Sequence, residues 1–280
     1  MISLRRCVPR LAVPLLVFAS VLPSRAQTSA VDMIRAMSDT ELKASAADHN
    51  LWRYRDRNRQ HGVETVSLVV DTKSGSVKKI LMRDGRPLSA QEEAAETKKV
   101  HDFINDPAKQ RKQKKDGEQD DVRARGMLEL LPKAFVWTFK SDNGEEVTLH
   151  FEPDPNFTPP SREARVLAAM AGEVVVHKAD HRMVSIRGAL KEQVNFGFGL
   201  LGKLEKGGTF HVIRREVKPG VWETTETHVH MQGHALLFKS ISEQEDDVQT
   251  DFATVPPSTS LADAAAMLQK KDEQVARSGK

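Results

Sequence analysis

The chain holds 280 residues, 39% hydrophobic and 29% charged, with 42 basic and 39 acidic side chains and one cysteine. The apolar share suffices for a sizeable core, and the length suits one large β domain or two small ones. The single thiol excludes a disulfide framework, and the near balance of charge gives no electrostatic case for nucleic acid as a partner.

Residues 1–26 read as a secretory signal peptide. Arg5, Arg6 and Arg10 form a basic start, residues 11–22 (LAVPLLVFASVL) are apolar but too short to span a bilayer, and Ser24 and Ala26 precede Gln27 as small residues. Removing its four arginines leaves 38 basic residues against 39 acidic, a formal −1, and also removes Cys7. Export without disulfides, and without a cysteine for a lipid anchor, gives the expectation of a bacterial periplasmic protein held by its core.

Residues 29–48 carry Val31, Ile34, Met37 and Leu42 at helical spacing. Residues 52–59 (WRYRDRNR) alternate, with Trp52 and Tyr54 on one face and Arg53, Arg55, Arg57 and Arg59 on the other. Strands over 63–70 and 76–83 follow, separated by turns at His61-Gly62 and Lys73-Ser74-Gly75, and Asp84-Gly85 ends the meander. The arginine stripe reads as a solvated, edge-protecting face or as an anion contact. Ser89 and Glu92 fit a capping box that opens a helix reaching about Asn105.

Residues 107–125 (PAKQRKQKKDGEQDDVRAR) form a charge block, basic then acidic and nearly free of apolar side chains. The composition predicts a mobile insertion rather than a packed element. A short apolar helix over 127–131, strands over 134–140 and 145–153 around Asn143-Gly144, a proline-stiffened crossover over 153–160 and a helix capped by Ser161 come next.

Residues 173–242 hold six further candidate strands cut by turns such as Lys218-Pro219-Gly220, giving about eleven in all. Residues 243–250 read as polar and acidic. Residues 251–280 read as a linker with Pro256-Pro257 and a C-terminal helix, outside a β domain over 27–250.

Three places invite chemistry. His228, His230 and His234 form a strand-and-turn stripe with Glu226 nearby, but the spacing matches no zinc signature, and neighbours on one strand face stand ~7 Å apart. Asp180-His181 lies in a turn and lacks a G-x-S-x-G elbow elsewhere. Residues 194–200 (VNFGFGL) place Val194, Phe196, Phe198 and Leu200 on one face and Gly197 and Gly199 on the other. This is a strand bend or a phenylalanine-lined wall, not a dinucleotide loop. No cofactor, metal site or catalytic residue is expected.

About eleven antiparallel strands, an N-terminal helix, an inserted helix after the third strand and no disulfide resemble the periplasmic lipoprotein carriers of the LolA/LolB type. The stretch FEPDPNFTPPSREARVLAAMAGEVVVHKADHRMV is also similar to secreted bacterial proteins related to them. The resemblance implies a mainly β, antiparallel, unclosed half-barrel with covering helices, whose concave face takes acyl chains of a lipid or lipoprotein cargo, with transient contact to membrane components. Trp137, Phe139, Val194, Phe196, Phe198, Leu200, Phe210 and Val212 are the expected cavity residues. The competing expectation is a non-catalytic envelope scaffold with a filled core.

Overall fold

The computed structural model describes residues 29–196, 202–235 and 244–278. Strands β1 (Trp52–Gln60), β2 (Val63–Thr72), β3 (Gly75–Arg83) and β4 (Arg86–Pro87) form an N-terminal meander. Its turns use His61-Gly62 and Asp84-Gly85, each pair at positive φ, as two-residue hairpins of this twist require. Strands β5 (Phe135–Asp142), β6 (Glu146–Pro153), β7 (Met170–His177) and β8 (Arg182–Leu190) form a second meander, continued by β11 (Thr209–Lys218) and β12 (Val221–His230).

One further strand, β14 (Gln244–Thr254), joins the two. It pairs antiparallel with β1 on one side and β12 on the other. The sheet runs β4-β3-β2-β1-β14-β12-β11-β8-β7-β6-β5, eleven antiparallel strands that do not close, so the expected unclosed half-barrel is the architecture. The sequence reading left 243–250 as a polar segment and put 251–254 in a linker. The structure corrects both, because QEDDVQTDFAT is polar on its two faces and gives no hydrophobic alternation to read.

The long strand expected across 194–200 is also different. Val194–Phe196 (β9) and Gly202–Leu204 (β10) pair with each other, and Gly233–Ala235 (β13) adds to β10, giving a separate three-stranded sheet. Phe198 and Leu200 lie outside the described residues.

Five helices accompany the sheets among the described residues: α1 (Ala30–Ala47), α2 (Ala90–Ile104), α3 (Pro107–Ala134), α4 (Arg162–Leu167) and α5 (Leu261–Ser278). The Ser89–Glu92 capping box forms as expected. The charge block, expected as an irregular insertion, is instead the first two thirds of α3. Asp106 caps it by accepting from the amides of Ala108 and Lys109, and Pro107 occupies a position where no amide is needed. Lys112 pairs with Asp116, and Arg123 with Asp120 at 2.6 Å, on successive turns. Gln113 exchanges two hydrogen bonds with the backbone of Ser76, at 2.9 and 3.0 Å, and Gln110 donates to the last carbonyls of α2. The helix then ends in the core at Leu131 and Ala134.

The sheet is covered on opposite faces in its two halves. Here the inner face means the one α1 occupies. On β5 to β8 that face carries Trp137, Leu149, Phe151, Val174 and Ile186, packed under Ile34 and Met37 of α1 and the end of α3. On β2 and β3 the apolar residues point the other way. Leu68, Val70 and Val77 meet Val100 of α2 and Ala264, Ala265 and Leu268 of α5. The C-terminal helix is therefore part of the second core, not an appendage.

Candidate functional site

The inner face has an apolar half and a polar half. In the apolar half, Gly172 and Gly188 stand directly opposite each other on β7 and β8. A Cβ on Gly172 would lie 1.9 Å from the carbonyl oxygen of Arg187, so no side chain fits. The missing side chain at Gly188 leaves room for the rings of Phe151 and Phe210. Trp137 stacks at an angle on Phe151, centroids 5.3 Å apart, and donates its indole N–H to the carbonyl of Leu131 at 3.0 Å.

Six of the eight expected cavity residues fall among the described residues. Trp137, Val194 and Phe196 are buried in the packed core, and Phe210 and Val212 are partly buried against it. Phe139 shares the face of Trp137 but sits on the edge strand β5 and is 44% exposed. The structure thus gathers five of them in one packed cluster, Trp137, Phe210 and Val212 from the large sheet and Val194 and Phe196 from the small one, and leaves Phe139 exposed.

A buried ion cluster that the sequence did not signal fixes α1 to this wall. Glu41, 2% exposed, receives Nε and Nη2 of Arg182 at 3.0 and 3.2 Å and the amide of Met183 at 2.8 Å. Arg214 of β11 pairs with the same carboxylate and donates to the carbonyl of Trp222 at 2.7 Å. The guanidinium of Arg182 also lies 5.8 Å from the ring of Trp222.

The polar half spans β12, β14, β1 and β2. Tyr54, Asp56 and Asn58 project inward from β1. Ser67 stands opposite Asp56 on β2, and Asp247 stands opposite Asn58 on β14. Lys78 of β3 pairs with Asp56. Gln249 and Asn58 donate to Asp247 at 3.0 and 3.4 Å. Burial first, then the adjoining Asp56, pushes the Asp247 carboxyl up to about 7. Burial and the field of Asp71, Asp56, Asp247 and Glu223 raise the Tyr54 phenol beyond its ordinary range. Trp52, Tyr54 and Phe252 form an aromatic row beside these acids, with Tyr54 stacked on Phe252 at 5.3 Å and Trp52 edge-on to it at 5.8 Å.

The outer face is a charged ladder. His150, Glu173, Arg187, His211, His228, Asp246, Arg59 and Glu64 pair in register across eight neighbouring strands. His228 donates or accepts through Nδ1 at 2.7 Å from Asp246, and His230 reaches the same carboxylate at 3.1 Å. Asp246, then Glu226, raises the His228 imidazole, while burial, then His228 and Arg187, lowers that of His211. Among the described residues no group of three or more His, Cys, Asp or Glu side chains is placed to hold a metal. Asp180 bonds His177 at 2.6 Å rather than His181, which occupies a left-handed turn position. No helix among the described residues is long and apolar enough to cross a membrane. No protein-family model and no curated protein sequence matches the chain.

Proposed function

We propose that this is an exported, non-catalytic binding or carrier protein for a lipid or a lipidated chain, with the apolar wall beneath α1 as its acyl-chain surface. The observation that carries the reading is an unclosed sheet whose apolar inner wall is roofed by α1 beside the end of α3, with α1 the less anchored of the two. That helix presents only Ile34 and Met37 as large buried apolar side chains and is clasped through Glu41. An acyl chain that displaces α1 replaces those contacts and gains ~0.8 kcal/mol per buried methylene. Trp137, Phe210 and Val212 then line the chain. A periplasmic setting follows from the leader-like residues 1–26, and delivery entails brief contact with membrane components.

The packing of Trp137, Val194 and Phe196 into a filled core favours a second reading, an envelope scaffold that binds a protein rather than a lipid. Native mass spectrometry of protein purified from its own compartment, with organic extraction of anything released, separates the two. A discrete added mass that yields fatty acyl chains supports the carrier. An apo mass, together with failure of added lipids and acylated peptides to bind both wild type and Glu41→Gln, overturns it in favour of the scaffold.

A further inference from the structure

The large sheet ends in two edges that are treated differently. At one end, β4 is two residues long, and its Pro87 has no amide to offer. Behind it on the same edge, the side chain of Gln113 bonds both backbone groups of Ser76, at 2.9 and 3.0 Å, and the amide of Leu88 reaches the carbonyl of Leu81 at 3.4 Å. Short strands, proline and covering elements are the means by which sheets blunt an edge. The other end is β5, eight residues without proline. Among the described residues no strand pairs with its far side, and Val136 at 50% and Phe139 at 44% stand exposed on it.

The phase of the ladder fixes which backbone groups face out. The amide of Asp154 donates to the carbonyl of Ala134 at 3.1 Å, one step before the Phe135↔Pro153 pair. Bonded and unbonded pairs alternate in an antiparallel ladder. Val136 and Thr138 therefore bond β6 opposite Glu152 and His150, while Phe135, Trp137 and Phe139 turn their N–H and C=O to the open side. The next ladder agrees, since Lys178 donates to the carbonyl of Glu145 at 2.8 Å and so leaves the even-numbered residues of β6 to face β5. A bulge between Phe139 and Ser141 ends the flat stretch, and Lys140 within it is held by Glu173. The open edge is residues 135–139, FVWTF, without a charged side chain.

We infer that β5 is a self-association edge, on which two copies of the chain join their sheets by antiparallel pairing of residues 135–139 about a two-fold axis at Trp137. In that register Trp137 bonds Trp137 of the second copy and Phe135 bonds Phe139 in both directions, so every outward N–H meets an outward C=O. The exposed Phe139 comes beside Phe135 on the inner face, and the exposed Val136 beside Thr138 on the outer face. An axis one residue later sets Val136 against Lys140 in the bulge and leaves Phe135 without its partner. The occupant is a second copy because the stretch is its own complement: the same five residues supply donors, acceptors and apolar side chains to both partners. Each copy has one open edge and one blunted one, so the assembly closes at two. The seam is smaller than a standard interface, which sets the dissociation constant at about 100 µM. The inference does not rest on acyl-chain binding.

The test is sedimentation velocity of the full chain from about 5 to about 500 µM, which brackets that constant. A reversible shift from monomer to dimer that goes no further is expected. Phe139→Pro removes an outward amide and no bond to β6, and should weaken association at least about tenfold. Val136→Lys, at a position already exposed, should weaken it as well. Val122→Lys removes the exposed apolar side chain of α3 instead and should associate like wild type. The register is read by oxidation in a Cys7→Ser background. Val136→Cys with Thr138→Cys brings thiols opposite each other in an unbonded pair, where strands stand closest, and should trap a covalent dimer; either cysteine alone should trap far less. A monomer throughout the range, growth past the dimer, wild-type association in both Phe139→Pro and Val136→Lys, loss of it in Val122→Lys, or equal trapping by the single cysteines overturns the inference.

Discussion

Glu41 and Arg182 lie 141 positions apart and meet at 3.0 Å, both nearly sealed from solvent, and Arg214 completes the cluster on the same carboxylate. Two guanidinium groups share one carboxylate, so removing it leaves Arg182 buried without a counter-charge and Arg214 with only the field of Glu223. Glu41→Gln is expected to cost about 3–5 kcal/mol in urea unfolding. Replacing Glu41, Arg182 and Arg214 together with Leu, Met and Met should be close to neutral, because no desolvated charge remains. Equal losses in the single and triple variants would show that packing, not the unpaired charge, sets the cost.

Stability should fall as pH rises from about 4 toward about 7, through Asp247. The folded chain holds its proton up to about 7, whereas the unfolded chain releases it near ~3.9. Across that window the native state binds more protons, and each is lost against folding. Carboxylates such as Glu173 and Asp246, held below their usual range by Lys140 and by His228, act with the opposite sign in more acidic solution. Urea midpoints measured across this range should flatten in Asp247→Asn, with the largest gain at the alkaline end. An unchanged slope in that variant would assign the dependence to other groups.

Gly172→Ala forces its methyl into the backbone of β8, 1.9 Å from the Arg187 carbonyl. The strands must part, at a cost of at least about 1–3 kcal/mol. Thermal melting reads it directly. Gly144→Ala serves as the control for turn strain alone, since its Cβ meets nothing within 4 Å while its φ is +98°.

Gln113→Ala removes both bonds between α3 and the backbone of Ser76. A loss of about 1–2 kcal/mol is expected, with faster amide exchange at Ser76 and along the charged part of α3. Asp106→Ala removes the cap of the same helix and should add about 1 kcal/mol. Undisturbed exchange in the double variant would show that the charge pairs along α3 hold it by themselves.

The early strands were legible because their local signals agree. WRYRDRNR alternates, His61-Gly62 and Asp84-Gly85 demand positive φ, and Ser89 and Glu92 satisfy each other's backbone. The elements that were not legible are held by distant partners. Gln113 is an ordinary glutamine until Ser76 is placed beside it. Asp247 reads as one acid among several until Asp56 arrives from β1. Trp137, Val194 and Phe196 were read as apolar and lie in the packed core, but parity along β5 could not show that Phe139 stands exposed on the edge strand. The polar half of the face was invisible, since strand β14 offers no apolar alternation.

The place of β14 also sets a timetable for folding. Strand β1 pairs with it from Trp52↔Thr254 to Gln60↔Glu245, so the first meander waits for almost the last segment of chain before its free edge is covered. Closing so large a loop is slow, and the waiting edge of β1 is an open template for other chains. The arginines of β1 repel such company during the wait. A newly made chain therefore depends on a chaperone, or on that repulsion, until the seam strand arrives.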